Sequence, residues 1–192
     1  MTVLILGLLV FLGAHSVRIA ADGWRSAQIA RLGGNRWKGL YSLVSAAGLV
    51  LIVWGFGLAR ADPVILWSPP AWTRGAAALL TVPAFILLAA AYVPENRIKA
   101  AVGHPMVASV KLWALAHLMA NGRLADLVLF GAFLVWAVLD YQAARGRDRV
   151  AGIRTPADSL TRDAIAVAAG LAAWALFAGF LHSRLTGIPL FV

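Results

Sequence analysis

Cysteine is absent from the chain. That excludes disulfides, iron–sulfur clusters and thiolate ligands, and leaves histidine as the only strong nitrogen ligand for a metal. Acidic residues are scarce, with 8 Asp and Glu against 17 Lys and Arg and a net charge of +9. There are no paired carboxylates within an apolar run, no phosphate-binding glycine loop and no serine–histidine–acid spacing, which argues against an ATPase or a hydrolase. Long polar stretches are missing too. A chain of 192 residues that is 61% hydrophobic and only 13% charged is an integral membrane protein rather than a soluble one.

The basic excess would suggest nucleic acid in a soluble protein, but here it clusters in short connections between apolar runs, as the positive-inside rule describes. No nucleic-acid partner is expected; the partner is membrane lipid. The first ten residues lack the positive region of a secretory signal, and no small-residue cleavage site follows, so they are expected to remain as the first membrane helix.

Apolar runs occupy residues 2 to 20, 39 to 58, 72 to 93, 105 to 120, 124 to 141 and 163 to 181. Gly33-Gly34-Asn35 marks a turn, Pro83 is expected to kink the third run, and a basic loop is expected from Arg145 to Arg162. Trp67, Trp72 and Tyr92 sit near span ends, where amphipathic rings favour the interface. The run from Pro105 to Ala120 decides the topology, since its 16 residues reach only about 24 Å against a hydrocarbon core of ~30 Å. If it crosses, one side collects Arg18, Arg25, Arg31, Arg36, Lys38, Arg97, Lys99, Arg145, Arg147, Arg149, Arg154 and Arg162. The other side keeps Arg60, Arg74, Arg123 and Arg184. If it does not cross, that bias largely vanishes. The expected fold is therefore all-α, a polytopic bundle of six transmembrane helices with both termini outside.

This topology gives each histidine a depth. His15 lies toward the inner end of the first helix, and His104 opens the fourth run at the inner face, so the two can meet there. His117 lies thirteen residues beyond His104, about 20 Å along the axis, and belongs to the outer half. Pairing His15 with His104 suits an axially ligated haem b, which needs an apolar slot, imidazoles and cations for its propionates. Arg18 and Lys111 stand on the same helix faces as those histidines and suit the propionates. The structural alternative is that His104, before Pro105, caps a helix and His15 bonds a backbone carbonyl. His117, with Trp113 one turn before and Asn121 one turn after, forms a polar stripe that suits a substrate pocket or an interhelical hydrogen bond. His182, beside Ser183 and Arg184, reads as an interfacial span end. Inverted halves and intramembrane acids are lacking, which disfavours a transporter.

Gly13-Ala14-His15-Ser16, the run from Arg36 to Ser45, His104-Pro105-Met106, Leu112 to Leu118, Asn121-Gly122, Phe130-Gly131 and the end from His182 to Pro189 together resemble the NnrU family of bacterial inner-membrane proteins. The resemblance covers essentially the whole chain, 1–192, as a single transmembrane domain. It implies a multi-pass location in the bacterial inner membrane and an association with denitrification, through nitrite and nitric oxide reductase. The family is also similar to the plant 15-cis-zeta-carotene isomerase, a membrane haem b enzyme whose haem histidines the resemblance places at His15 and His104. That enzyme carries a cysteine three residues before its His-Pro motif; here Ala101 stands there, so a thiolate ligand exchange is not open to this chain.

The leading expectation is an inner-membrane haem b protein with His15 and His104 as axial ligands and Arg18 and Lys111 at the propionates. His117, Trp113 and Asn121 would line a lipid-facing cavity where a polyene isomerises or nitric oxide binds. The rival is a haem-free or nitric-oxide-sensing accessory protein that supports nitric oxide reductase.

Overall fold

Lipid offers the backbone no hydrogen-bond partner, so a chain of this composition satisfies its N–H and C=O groups inside helices. The computed structural model describes residues 1–153 and 159–186; Arg154 and Pro189 lie outside them. The described residues form α1 (Thr2–Ala20), α2 (Asp22–Leu32), α3 (Gly34–Ala61), α4 (Trp72–Tyr92), α5 (Arg97–Val102), α6 (Pro105–Ala120), α7 (Leu124–Ala151), α8 (Leu160–Leu176) and α9 (His182–Thr186), with a π turn, Phe177–Leu181, joining the last two. Five helical stretches are long and apolar enough to cross a membrane: Thr2–Ala20, Gly34–Ala61, Trp72–Tyr92, Leu124–Ala151 and Leu160–Arg184; α6 is shorter.

Helix boundaries follow local chemistry. Gly33, with φ 83°, separates α2 from α3, and α2 buries no residue, which suits a polar helix lying along an interface. Asn96 is fully buried and caps α5, accepting from Lys99 N at 2.6 Å while its amide donates to Ala90 O at 2.8 Å. α4 continues through Pro83. The expected basic loop after residue 141 is instead a continuation of α7 to Ala151. Gln142-Ala143-Ala144-Arg145 are good helix formers, and the first stop is Gly152 in the left-handed region at φ 63°.

The helices pack through small side chains, as helices do when lipid removes the hydrophobic drive between them. α1 lies against α3 and α7, α6 lies between α7 and α4, and α4 also packs on α8. Ala90, Ala114, Ala116, Ala137 and Ala166 are completely buried. The closest approach is that of α1 to α3. A Cβ added to Gly7 would stand 2.6 Å from Ile52 N, one on Gly48 2.8 Å from Phe11 N, and one on Gly55 would overlap the Leu4 backbone.

The bundle has two chemically distinct ends. At the basic end, Arg97 N donates to Asp163 at 2.6 Å, Arg162 pairs with Glu95, and His104 meets Asp148 at 2.8 Å. At the opposite end, the loop after α3 bridges to the break after α6, with Leu66 N donating to Gly122 O at 2.8 Å and Leu124 N to Val64 O at 2.9 Å. Gly122 admits no side chain there, because Trp67 O already fills the space. Arg60 donates to Thr186 O at 2.6 Å at this same end, and Leu4 meets Gly55 close by. α6 therefore runs the whole way between the ends, and α1 and α9 both have their outer tips at the less basic one.

Gly55→Leu should lower the melting temperature of detergent-solubilised protein, the overpacking costing about 1–3 kcal/mol. Gly57→Leu, where an added Cβ meets nothing within 4 Å, should leave it unchanged. Heating followed by size-exclusion chromatography measures both.

Candidate functional site

α1 carries His15 toward the basic end of the bundle. Its Nδ1 lies 2.7 Å from Phe11 O; a carbonyl can only accept, so Nδ1 carries the proton and Nε2 keeps its lone pair. Metal-ligating histidines have this same arrangement, with one ring nitrogen donating to a carbonyl so that the other is aimed and basic. The ring stacks on Phe11 at 4.2 Å, and Tyr41 of α3 and Trp136 of α7 stand 5.2 and 5.9 Å away. Among the described residues, the buried Trp136 Nε1–H has no hydrogen-bond partner. Beside this box runs an apolar groove of about 320 Å³ between α1 and α7, lined by Ile5, Leu8, Leu9, Leu12, Gly13, Ser16, Val128 and Ala132. Val128, Ala132 and Trp136 recur every four residues on one face of α7, so the groove descends toward His15. Arg18, exposed, follows one turn beyond.

His104 stands elsewhere. Its Nε2 is 2.8 Å from Asp148 Oδ2, and its ring meets the Tyr141 edge at 6.3 Å. Tyr141 donates to Val102 O at 2.7 Å, and Lys111 Nζ sits 3.5 Å above the Tyr141 ring. Trp136, which touches His15, and Tyr141, which touches His104, are five residues apart on α7, about 140° around the helix. In this structure His104 Nε2 is engaged by the Asp148 carboxylate, whereas the hydrogen bond of His15 runs through Nδ1. His15 taken singly does fit the group: an aimed Nε2, aromatic walls, an adjoining apolar groove, and a buried N–H donor without a partner.

The third cluster lies toward the less basic end. His117 Nδ1 is 2.8 Å from Trp113 O, which again protonates Nδ1. Its ring stacks on Phe130 at 4.4 Å and lies 5.2 Å from Trp113. Asn121 spends its amide on His117 O at 2.8 Å, closing the end of α6. His182 of α9 comes to 6.5 Å from His117, centroid to centroid. Rings link this cluster to the first, from Trp113 to Phe133 at 5.5 Å and from Phe133 to Phe11 at 5.8 Å. The residues singled out from the sequence thus fall into three groups: His15 with Arg18, His104 with Lys111, and His117 with Trp113 and Asn121.

The model of the NnrU protein family matches residues 3–190. The chain belongs to the NnrU family. No curated protein and no solved structure matches it.

In this NnrU protein, several contributors to these clusters were not assigned to a site from the sequence, among them Tyr41, Trp136, Tyr141, Asp148 and His182. Tyr41 and Trp136 are aromatic residues within apolar runs, and the sequence alone gave neither a site role. Only the four-residue spacing from Val128 through Ala132 could have drawn attention to Trp136. Asp148 lay in a stretch expected to be loop, and becomes a partner for His104 because α7 stays helical past it.

The His104–Asp148 contact should behave as one coupled unit. His104→Ala and Asp148→Asn should each lower stability in detergent by about 1 kcal/mol, and the double variant by little more than either single one. Thermal unfolding of the four proteins closes the cycle; additive losses would show that the pair does not interact.

Proposed function

We propose that this NnrU protein is a six-span protein of the bacterial inner membrane, with both termini outside, that holds haem b at His15 and acts on an apolar molecule entering from lipid along the α1–α7 groove. The observation that carries this reading is the His15 box, where Nδ1 is committed to Phe11 O and Nε2 is left to bind, next to the partnerless Trp136 N–H.

Support for six spans comes from the ends of the bundle. α6 starts among the contacts of the basic end and finishes at Gly122, hydrogen-bonded to the loop after α3. If its five longer neighbours cross, α6 crosses with them, and its 16 residues call for local thinning or polar rims. The chain holds no cysteine, so single cysteines at exposed positions report the side directly. Arg31→Cys and Val150→Cys should label from the cytoplasm, and Ile65→Cys from outside. Labelling of Val150→Cys and Ile65→Cys from the same side would overturn the crossing of α6.

Within the site, His15 would supply the protein ligand. Trp136 Nε1–H and the Arg18 guanidinium would hold the propionates, since one is a buried donor beside His15 and the other is a cation one turn beyond it. Tyr41, Phe11 and Trp136, which surround His15, would shield the bound group from water, and the groove would offer an extended polyene an apolar bed. Bound there, the haem supplies a redox-active iron able to coordinate a double bond or nitric oxide. His104 keeps α6 tied to α7 rather than ligating.

An absorbance spectrum of protein purified from haem-replete cells tests this. Wild type and His104→Ala should show a Soret band with sharp reduced bands, and His15→Ala should lose most of it. A colourless wild type would overturn the haem reading and leave the accessory role beside nitric oxide reductase in its place.

A further inference from the structure

Beyond Tyr141, α7 leaves the apolar part of the bundle and carries Arg145, Arg147, Asp148 and Arg149 in its final turns before Gly152 stops it. An arginine and an aspartate three apart on a helix stand within reach of each other, and Arg145 and Asp148 have that spacing. The pair is not made. Asp148 Oδ2 lies 2.8 Å from His104 Nε2 instead, and Arg145 lies across the turn between α5 and α6. Gly103 leaves room for it there, since a Cβ added to this glycine, whose φ is 79°, would overlap Arg145 Nη1. Among the described residues, the half-buried Arg145 guanidinium has neither a hydrogen bond nor an ion pair.

Arg145 also lines a polar hollow of about 280 Å³ at the end of α7, together with Asp148, Arg149, Gly152 and Ile153. Arg149 is exposed and gives its Nε–H to Arg145 O at 3.4 Å. The hollow thus sets two guanidinium groups against one carboxylate, and His104 already engages that carboxylate. A guanidinium offers five N–H donors in a fixed fork that matches phosphate oxygens.

Depth selects the source of the phosphate. Residues 124 to 141 reach about 27 Å at ~1.5 Å each, close to the ~30 Å hydrocarbon core, and Arg145 follows about 6 Å later, where headgroups lie. Ile153, which lines the hollow, and Val150, next to Arg149 in the chain, are 61% and 93% exposed. A lipid would cover these apolar side chains; a free anion in water would not.

We propose that Arg145 and Arg149 form a binding site for the phosphate group of an anionic phospholipid headgroup at the basic end of the bundle, separate from the His15 site and independent of what His15 holds. Gly103 lets the Arg145 guanidinium lie against the α5–α6 turn, and Asp148, held by His104, leaves it uncompensated. Basic pockets among membrane helices recognise lipid headgroups in this way.

The test uses full-length protein purified in mild detergent and stripped of lipid, with phosphatidylglycerol, phosphatidylcholine and inorganic phosphate as probes. Native mass spectrometry counts the bound lipid, and thermal unfolding reads the stabilisation it brings. Wild type should hold one phosphatidylglycerol in preference to phosphatidylcholine and melt higher with it. Arg145→Gln and Arg149→Gln should each weaken that preference by about fivefold or more. Because Arg149 is exposed, its variant should elute and melt as wild type without lipid, so its loss of binding is not a loss of folding. Arg147→Gln removes an equal charge from the same turns but does not line the hollow, and should bind as wild type. Equal losses in all three variants would reveal only the field of a basic surface and overturn the proposal, as would wild type that binds the two lipids alike. Inorganic phosphate that matches phosphatidylglycerol, with the same dependence on Arg145, would overturn the lipid as occupant and assign the site to a free anion.

Discussion

The bundle depends on how α6 is tied at its two ends. A sixteen-residue apolar helix is short for a bilayer, and nothing in its own composition sets its depth or rotation. Its polarity is much the same all round, so lipid gives it little preferred face. At the start, His104 reaches Asp148 and the preceding Val102 carbonyl takes the Tyr141 hydroxyl, both from α7. At the finish, Gly122 lies against the loop after α3, where no residue with a side chain fits. These ties fix the helix in height and rotation. They thereby decide that Lys111 meets Tyr141 and that His117 meets Phe130 rather than lipid.

Given that frame, the remaining helices can stay nearly featureless. Alanine and glycine fill the contacts, and packing rather than polar pairing holds α1 to α3 and α4 to α6. Small interfaces have a consequence for chemistry. They bring backbones close and leave few internal cavities, so space for a ligand arises where a small-residue seam ends and larger side chains prop the helices apart. The α1–α7 groove is such a place: α1 is drawn onto α3 by Gly7, Gly48 and Gly55, and its other face, carrying Leu9 and Leu12, stands open beside α7.

Much of the fold was legible in the sequence because lipid simplifies the problem. Hydropathy marked the apolar helices, five of them long enough to cross a membrane, Pro105 and Asn121-Gly122 marked the ends of α6, and Gly33 marked the turn before α3. The charge imbalance foretold which connections share an end of the bundle, and the ion pair of Arg162 with Glu95 and the bridge from Ile65 to Arg123 agree with it. Depth along the axis was therefore readable, and His117 and His182 were both assigned to the outer half. Azimuth was not. An apolar helix surrounded by apolar neighbours shows little periodicity to say which residue faces which helix, so His15 and His104, similar in depth, looked like partners. In the structure both meet α7, His15 at Trp136 and His104 at Asp148, an acid that stands there because α7 stays helical that far. The inward turn of His182 was further hidden, because a π turn leaves no mark in composition.

The polar groups buried in the bundle differ in how well they are met, and this separates structural from functional roles. Lysine near the centre of a span costs about 2.5–3.5 kcal/mol on insertion scales. A desolvated ammonium over a tyrosine face returns about 2 kcal/mol, and Lys111 Nζ lies 3.5 Å above the Tyr141 ring. The four-carbon stem, reaching back toward the basic end, covers much of the rest. Lys111 thus needs no anion to be tolerated. Asn96 is buried and fully bonded, and Asn121 is spent on a carbonyl. The Trp136 indole N–H has no such partner, and a buried donor left unmet costs about 1–3 kcal/mol. A phenylalanine would fill the same space without that penalty. The unmet donor stands beside His15, whose Nδ1 is committed to a carbonyl, and near the α1–α7 groove, and the proposal of a site on α1 and α7 rests on that coincidence.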